Sequence, residues 1–226
     1  MARSVRRRRR RPHRLLKLLV LLALCAVFFW WSNHSLQTDR FTYRSPRLPA
    51  GFDGCVIVQL SDLHGADFGE GNRELTESVR ALSPDYIFLT GDLLDRYRRT
   101  PQSYAVELGR AMAGIAPTYF VTGNHEWALP DVPGLKRKLE EAGVTVLSNE
   151  TAGIDDPNGY ADQKTPEELA EEVRAACGDA FWLLLAHRNN YFEDRYSLLG
   201  ADLVISGHGH GGLIRLPFTD GLVSAE

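Results

Sequence analysis

The sequence has few cysteines, no internal repeat and, over its first 17 residues, no acidic side chain. Three cysteines in 226 residues are too few for a disulfide framework. Cys25 lies in an apolar run, Cys55 in a strand-like segment and Cys177 at the end of a helix-like one, and we interpret all three as packing residues. Apolar residues make up 44% of the chain and charged residues 24%, which excludes a disordered or collagen-like protein.

The absence of acidic residues near the start divides the chain into two parts of opposite charge. Residues 1–17 contain nine lysines and arginines, whereas the rest contains 17 of these against 29 aspartates and glutamates. The formal net charge of −3 is therefore made of +9 at the tip and −12 in the body. An arginine run can bind nucleic acid or direct nuclear import. The acidic body and the apolar run that follows argue against this, so we expect no nucleic-acid partner.

Leu18 to Trp31 is an unbroken apolar run of fourteen residues without glycine or proline. A helix from Leu15 to Trp31 is about 25 Å long, and the snorkelling side chain of Lys17 extends it toward the roughly 30 Å of a bilayer core. The run ends in two phenylalanines and two tryptophans, which is typical of an interfacial aromatic belt. We therefore predict a transmembrane signal anchor at 18–31. Residues 1–17 form a basic cytoplasmic tip and the body is extracytoplasmic. A cleaved signal peptide and a twin-arginine export signal are the alternatives.

The body after the anchor alternates short apolar runs with amphipathic stretches, which predicts an α/β fold. Residues 32–51, with Pro46 and Pro49, are expected to form a linker, and 52–226 the folded domain. Most strand candidates are apolar throughout, which favours a sheet covered on both faces. These strand candidates are Cys55–Leu60, Tyr86–Thr90, Thr118–Thr122, Val144–Leu147, Trp182–Ala186 and Leu203–Ser206. The helix candidates are Asn72–Leu82, Gln102–Ala113, Val132–Ala142, Pro166–Cys177, which begins with a capping box at Thr165, and Tyr191–Leu199.

Polar side chains that can bind metals follow these strands. They are Asp62, His64, Asp92, Asp95, Asn124, His125, His187, His208 and His210. Asp62 lies 30 residues before Asp92, and Asn124 lies 32 after it, close to the roughly 30-residue length of one βαβ unit. Because parallel strands end at one edge of a sheet, we expect these side chains to meet there.

Five of the seven histidines of the chain lie in these clusters, which is hard to explain as five independent core or loop histidines. Seven side chains are candidate ligands: Asp62, His64, Asp92, Asn124, His187, His208 and His210. Seven are too many for one tetrahedral site but suit two ions that share a bridging carboxylate. Mixed carboxylate, imidazole and amide ligands favour Mn, Fe, Zn or Co over Ca.

The order of these motifs closely resembles that of the calcineurin-like metallophosphoesterase superfamily, in a membrane-anchored bacterial-type form. The motifs are Asp62-Leu63-His64, Gly91-Asp92-Leu93-Leu94-Asp95, Gly123-Asn124-His125-Glu126, His187 and Gly207-His208-Gly209-His210, and the likeness covers residues 52 to about 215. The resemblance implies a four-layer α/β/β/α sandwich and a dinuclear metal site. It implies that one ion binds Asp62, His64 and His210, that the other binds Asn124, His187 and His208, and that Asp92 bridges them. It also implies that His125 is the acid that contacts the phosphate and that Asp95 orients it.

The implied activity is metal-dependent hydrolysis of a phosphodiester or pyrophosphate, and the anchor favours a lipid-linked or envelope substrate. The alternatives are a phosphomonoesterase or nuclease of the same fold, or a truncated, non-catalytic binding module. Truncation is considered because the chain ends sixteen residues after His210, and because it lacks an expected strand or hairpin between Thr151 and Ile154. The second sheet is therefore expected to be incomplete.

Three further segments near these motifs are less specific. Arg188 and Asn189 directly follow His187 and are the candidate substrate-binding residues. The cations at 96, 98 and 99 follow Asp95 and fit either contact with an anionic substrate or a solvated loop. Residues 155–159 have the composition of an ordinary turn.

Overall fold

The computed structural model describes residues 12–148, 164–210, 214–215 and 221–223. The predicted turn at 155–159, the expected gap at 151–154 and the arginine run at 6–11 lie outside these residues. The chain forms two units, Met1–Phe41 and Thr42–Glu226. In the first unit, helix α1 spans Pro12–His34, and its stretch Arg14–Trp31 is long and apolar enough to cross a membrane.

The second unit contains a mixed α/β fold built on parallel strands. Its helices are α2 (Arg73–Ala81), α3 (Gln102–Ala113), α4 (Asn124–Trp127), α5 (Val132–Glu141) and α6 (Pro166–Cys177). Its strands are β1 (Ile57–Leu60), β2 (Tyr86–Leu89), β3 (Thr118–Phe120), β4 (Thr145–Val146), β5 (Leu183–Arg188), β6 (Leu203–Gly207), β7 (Ile214–Arg215) and β8 (Gly221–Val223). Three short 3-10 helices cover Ala50–Phe52, Glu70–Asn72 and Tyr196–Leu198.

Within the described residues, the strands form three sheets. The first is entirely parallel, in the order β1-β2-β3-β4, with Ile57 opposite Tyr86 and Ile87 opposite Thr118. The second contains the parallel pair β5-β6, and the third contains the antiparallel pair β7-β8. Because the first two sheets are parallel, the carboxyl ends of the strands within each sheet point to the same edge. The predicted α/β class and parallel strands are confirmed.

Apolar side chains of α2, α3 and α5 cover the first sheet. Fully buried residues of this core are Ile87, Leu89, Leu93, Leu94, Ala105, Met112, Phe120, Leu135 and Leu139. On the other face of β2, Phe88 packs against the rings of Tyr86 and Tyr119. A smaller core beside the second sheet joins Ala170 of α6 to Leu184 of β5. Both faces of β2 are thus covered, as its unbroken apolar character predicts.

The helix predicted at Tyr191–Leu199 is wrong: the structure has turns and the 3-10 helix Tyr196–Leu198 there. The backbone N–H groups of Tyr196 and Ser197 donate to the carbonyls of Tyr191 and Phe192, five residues earlier. These turns are wider than those of an α-helix, and they let Tyr196 and Leu199 both pack in the second core. The capping box at Thr165 is confirmed, since its hydroxyl accepts from the N–H of Glu168 at 3.2 Å.

The compact unit begins at Thr42, within the segment expected to be a linker. The guanidinium group of Arg47 donates to Asp202 Oδ1 at 2.6 Å and to Asp179 Oδ1 at 3.2 Å. The hydroxyl of Tyr43 donates to the carbonyl of Asp202 at 2.7 Å, and its ring packs against Phe181. These contacts hold the start of the domain at the amino ends of β5 and β6, the edge opposite His187 and the loop after β6.

Candidate metal centre

The structure brings the predicted site residues together at the carboxyl edge of the strands. They come from the loops after β1, β2 and β6, from α4 and from β5: Asp62, His64, Asp92, Asp95, Asn124, His125, His187, His208 and His210. Their ligand atoms form three groups, within each of which all atoms lie within 4.8 Å of one another. These groups are Asp62 with His64 and His210, His64 with Asp92 and His125, and Asp92 with His187 and His208.

The backbone of this site is strained at the ligands themselves. Eight non-glycine residues of the described chain have a left-handed backbone, and five of them are candidate ligands: Asp62 (φ 55°), His64 (φ 48°), Asp92 (φ 51°), His208 (φ 68°) and His210 (φ 51°). Such a conformation costs of order 1–3 kcal/mol for each residue and persists only where the surrounding structure enforces it. A concentration of these residues at one edge is typical of a functional site.

The first group lies between the loops after β1 and β6. His64 Nε2 is 3.2 Å from His210 Nε2, and Asp62 Oδ1 is 3.5 Å from His210 Nε2. The other oxygen of Asp62 accepts from Ser61 Oγ at 2.6 Å and from the N–H of His208 at 2.9 Å. Asp62 Oδ1 is buried, and within the described part of the chain no hydrogen-bond donor reaches it. A buried carboxylate oxygen without a donor is costly unless a cation binds it.

The second group lies between β5 and the loops after β2 and β6. His187 Nε2 is 3.2 Å from Asp92 Oδ2, 3.2 Å from His208 Nδ1 and 3.1 Å from Asn124 Oδ1. Its other nitrogen, Nδ1, is 2.8 Å from the carbonyl of Thr90, to which it donates. In the neutral ring this bond places the proton on Nδ1 and leaves the lone pair of Nε2 for a metal ion, as in histidines that bind metals.

The distances within both groups suit metal coordination. Two nitrogens bound to one ion at about 2.0–2.1 Å lie roughly 2.8–3.0 Å apart in octahedral geometry and roughly 3.3–3.4 Å apart in tetrahedral geometry. The imidazole nitrogens of each group are 3.2 Å apart. Together with the buried, unpartnered Asp62 Oδ1, this spacing shows that the residues present fit divalent metal ions.

Asp92 connects the two groups. Its Oδ2 lies 3.2 Å from His187 Nε2 of the second group and 3.9 Å from His64 Nε2 of the first. Its Oδ1 accepts from the backbone N–H of His125 at 2.8 Å. Burial alone would raise the pKa of Asp92, but the hydrogen bond and charge of His187 and the His125 N–H outweigh burial and lower it. Asp92 is therefore held as a carboxylate between the two groups.

The surroundings shift the pKa values of three imidazoles of the site in different directions. Burial lowers the pKa of His64 and of His208, and the neutral ring is the form that binds a metal. Burial also acts on His187, but its hydrogen bond to Asp92 and the charge of Asp92 outweigh it and raise the pKa. A positive charge is thus favoured next to Asp92. A metal ion bound there would compete with the proton that His187 takes up.

Two glycines allow this close packing. A Cβ on Gly123 would lie 2.1 Å from Asp92 Oδ1, and one on Gly207 would lie 1.9 Å from Ser61 Oγ. Either substitution would push aside the carboxylate of Asp92 or the hydroxyl that holds Asp62. The backbone therefore approaches the ligands at distances that only glycine permits.

His125 and Asp95 lie beside the first group. The ring centroid of His125 is 4.5 Å from that of His64. His125 Nδ1 accepts from the N–H of Arg96 at 3.3 Å and is 3.6 Å from Asp95 Oδ1, which is too long for a hydrogen bond. Asp95 Oδ1 accepts from the N–H groups of Tyr97 at 2.8 Å and Arg98 at 3.3 Å. The carboxylate of Asp95 thus holds the loop that contacts His125 rather than His125 directly.

Glu126 was not singled out from the sequence, although it belongs to the motif after β3. It is fully buried, and its carboxylate accepts from the N–H groups of Asp92 at 2.8 Å, Gly123 at 2.8 Å and Leu94 at 2.9 Å. Burial raises the pKa of Glu126, and these N–H groups oppose that effect. The signal available in the sequence was a glutamate three residues after Gly123, the spacing of a capping box, whereas its bonds to Asp92 and Leu94 join it to another loop.

The two residues predicted to contact substrate lie at the same edge. Asn189 lines a polar cavity of about 530 Å³ together with Asp62, Ser61 and His210. A Cβ on Gly209 would lie 2.8 Å from Asn189 Nδ2, so the loop after β6 closes over this amide. Arg188 Nη1 is 3.5 Å from the hydroxyl of Tyr191. Of the two side chains, Asn189 lines the cavity next to the first group.

Comparison with known proteins agrees with this arrangement. The "Calcineurin-like phosphoesterase" family model matches residues 55–212, which include all nine predicted site residues. "Uncharacterized metallophosphoesterase YkoQ" of Bacillus subtilis (strain 168) is 33% identical over 71% of this chain and 63% of that protein. "Transmembrane protein with metallophosphoesterase domain" of Danio rerio is 32% identical over 74% of this chain and 42% of that protein. The chain thus matches less than two thirds of the length of either relative.

A solved structure, the Pseudomonas putida nuclease MPE, is 22% identical over 45% of this chain and 50% of that one, with a TM-score of 0.28. So low a TM-score supports no structural inference. The family model matches residues 55–212, and this range includes every motif of the site. This match is sufficient to assign the family. The chain belongs to the calcineurin-like phosphoesterase family.

Proposed function

We propose that this chain hydrolyses phosphodiester or pyrophosphate bonds at a centre of two divalent metal ions. The observation that carries the proposal is the position of Asp92. One oxygen of this carboxylate lies 3.2 Å from His187 Nε2 and 3.9 Å from His64 Nε2, so a single side chain serves both groups of ligands. A bridging ligand needs this placement.

The residues that would hold the ions follow from the two groups. Asp62, His64 and His210 would hold one ion, Asn124, His187 and His208 the other, and Asp92 both. The ligand chemistry is compatible with Mn, Fe, Zn or Co. When bound, the ions would supply Lewis acidity that draws electrons from the phosphoryl group and makes water a better nucleophile.

His125 is the proposed proton donor. Its Nδ1 accepts from the Arg96 N–H, so the neutral ring carries its proton on Nε2. We propose that Nε2–H binds a phosphoryl oxygen in the neutral ring, and that the ring protonates the leaving oxygen from Nε2 when it also carries a proton on Nδ1, a role worth about 10²–10⁴-fold in rate. Asp95 would position His125 by holding the loop of Arg96 and Tyr97. Asn189, and with it Arg188, would contact the remainder of the substrate.

We further propose that α1 is a signal anchor and that the enzyme acts on a lipid-linked or envelope substrate. Supporting this are the apolar stretch Arg14–Trp31 and the relatives named as transmembrane proteins from Danio rerio and Bos taurus. The nine positive charges before the anchor favour a cytoplasmic N-terminus and an extracytoplasmic domain. Reporter enzymes fused after His34 test this topology. Activity of a reporter that works only in the cytoplasm would show that the domain lies on the cytoplasmic side.

The central experiment compares His125→Ala with Asp92→Asn in the full chain, purified in detergent. Metal content is measured by mass spectrometry, and turnover is measured on bis(p-nitrophenyl) phosphate, p-nitrophenyl phosphate and a lipid pyrophosphate. We expect His125→Ala to keep both ions and to lose about 10²–10⁴-fold in turnover. Asp92→Asn should lose metal as well as activity, because it removes the ligand shared by both groups.

The outcomes separate the alternatives. Faster turnover of the diester or pyrophosphate than of the monoester supports the proposed bond type, and the reverse order identifies a phosphomonoesterase. Two bound ions without turnover of any substrate would contradict hydrolysis and favour a binding module. Loss of both ions in His125→Ala would contradict the separation of acid and ligands.

A further inference from the structure

A second recognition element lies in the loop after Asp95. The side chain of Tyr97 is 73% exposed, although it is a large aromatic residue beside a buried site. Its ring approaches that of His125 edge to face, with centroids 5.6 Å apart and planes at 83°. An open aromatic surface therefore adjoins the proposed proton donor.

The backbone of Tyr97 is held in place by a hydrogen bond to Asp95. Asp95 Oδ1 accepts from the N–H of Tyr97 at 2.8 Å, and Asp95 Oδ2 lies 3.4 Å from the guanidinium of Arg98. Burial would raise the pKa of Asp95, but the N–H groups of Tyr97 and Arg98 outweigh it and lower the pKa, so the carboxylate holds this loop. A ring on a fixed backbone loses little conformational entropy when a ligand stacks on it.

The guanidinium group of Arg96 lies against the Tyr97 ring. The guanidinium carbon of Arg96 lies 4.5 Å from the centroid of Tyr97, and an Arg96 nitrogen donates to the Tyr97 hydroxyl. The backbone N–H of Arg96 donates to His125 Nδ1, and the Tyr97 ring that the guanidinium contacts also adjoins this imidazole. The side chain of Arg96 therefore offers positive charge to an anion that binds next to His125.

We propose that Tyr97 and Arg96 form a platform for substrates whose leaving group carries a planar aromatic ring close to the scissile phosphate. The proposal rests on the hydrolytic function proposed above. Water adds to phosphorus and the bond to the leaving oxygen breaks. The leaving oxygen takes a proton from the imidazolium form of His125, and the proton that the attacking water releases restores that form. The ring on the leaving side would stack on Tyr97, while Arg96 attracts the phosphate. An aryl alcohol and a nucleoside both have this chemistry.

Binding measurements test the platform separately from hydrolysis. Calorimetry on the Mn-loaded full chain in detergent compares three ligands: methyl phosphate, phenyl phosphate and adenosine 5′-monophosphate. We expect Tyr97→Ala to weaken binding of a ring-bearing ligand by about 5- to 150-fold, the effect of losing one base–aromatic stack, and to leave methyl phosphate unchanged. Tyr97→Phe should keep the affinity, because stacking needs the ring and not the hydroxyl.

Phe52→Ala is the matched control. Phe52 is also an exposed aromatic residue, at 43%, but its ring packs on Tyr86 at the amino end of β2, away from the site. This variant should bind all three ligands as the unmodified chain does. A loss for adenosine 5′-monophosphate alone identifies a nucleoside, and an equal loss for phenyl phosphate shows that any aryl ring suffices. The proposal is overturned if ring-bearing ligands bind the unmodified chain no tighter than methyl phosphate, or if Tyr97→Ala weakens all three equally.

Free phosphate is measured after each titration, so that binding is distinguished from turnover. Inactivity on every phosphoester would then refute the hydrolytic function without affecting the test of the platform. Conversely, a normal turnover with no effect of Tyr97→Ala on binding would refute the platform alone.

Discussion

Replacing Glu126 with glutamine is the sharpest test of how this site is built. Glu126 is fully buried, and all three of its hydrogen bonds come from backbone donors. Glutamine has nearly the same shape but keeps only one acceptor oxygen and adds an NH₂ group. The side-chain amide keeps more hydrogen bonds when its oxygen replaces Oε2, because Oε2 accepts from both Asp92 and Gly123. The NH₂ group then faces the N–H of Leu94, donor against donor.

The expected cost follows from this count. One hydrogen bond to a charged acceptor is lost, worth about 1.5–3 kcal/mol, and the buried N–H of Leu94 is left without an acceptor, a penalty of about 1–3 kcal/mol. These two values overlap, because both describe the same lost contact. We therefore expect Glu126→Gln to lower the free energy of unfolding by about 2–4 kcal/mol. Glu126→Ala should cost more, since it leaves three donors unpaired and opens a cavity.

The assay is urea unfolding of the full chain in detergent near pH 7, followed by tryptophan fluorescence and circular dichroism. Glu107→Gln is the control, because Glu107 lies exposed on α3 and the same chemical change there should stay within about 0.5 kcal/mol. If Glu126→Gln and Glu107→Gln unfold alike, the carboxylate does not hold the loops of Asp92 and Gly123. A lower metal content of Glu126→Gln at equal metal concentration would link the buried carboxylate to Asp92.

Three further predictions concern the same edge. Gly123→Ala should lower metal content, because its Cβ would lie 2.1 Å from Asp92 Oδ1, whereas Gly114→Ala, whose Cβ meets nothing closer than 3.5 Å, should not. Chelation should lower the melting temperature, since ions at 100 times their Kd stabilise by about 2.7 kcal/mol; an unchanged melting temperature with full metal removal would refute binding to the native state. The pKa of Asp95 is lowered on folding, so its stabilisation is present above about pH 4 and is lost as the pH falls through the lowered pKa. With chelator present, the free energy of unfolding of Asp95→Asn should therefore fall less steeply on acidification than that of the unmodified chain. Parallel curves of unfolding free energy against pH would contradict this.

The sequence was sufficient to predict strands β1 to β6, helices α2, α3, α5 and α6, and the edge at which the ligands meet. Apolar runs predicted β1 to β6, because strands covered on both faces leave an unbroken apolar signal. The spacing from Asp62 to Asp92 to Asn124 matched one βα unit at each step, so their convergence followed from topology alone. Helices α3 and α6 begin and end at the predicted residues, since a proline at or just before the first residue marks each start.

Contacts between distant loops could not be predicted in this way. Of the three donors to Glu126, Gly123 is a sequence neighbour, but Asp92 and Leu94 lie more than thirty residues away. The failed helix at Tyr191–Leu199 has a similar cause. Its composition suits a helix, but burial of Tyr196 and Leu199 beside α6 requires wider turns. Local propensity is a weak signal where tertiary packing decides the backbone.

The left-handed backbone of the ligands connects the fold to the chemistry of the site. Asp62, His64 and Asp92 hold this conformation because their loops are bonded to each other: the N–H of Asp62 donates to the carbonyl of Gly91 at 3.0 Å, and that of His64 to the carbonyl of Asp92 at 2.9 Å. Glu126 in turn holds the N–H of Asp92. Aspartate and histidine are among the residues that tolerate a positive φ best, and they are also good metal ligands. The same residue types therefore satisfy the turn and the ion, which explains how a site can place five ligands on strained loops without glycine at those positions.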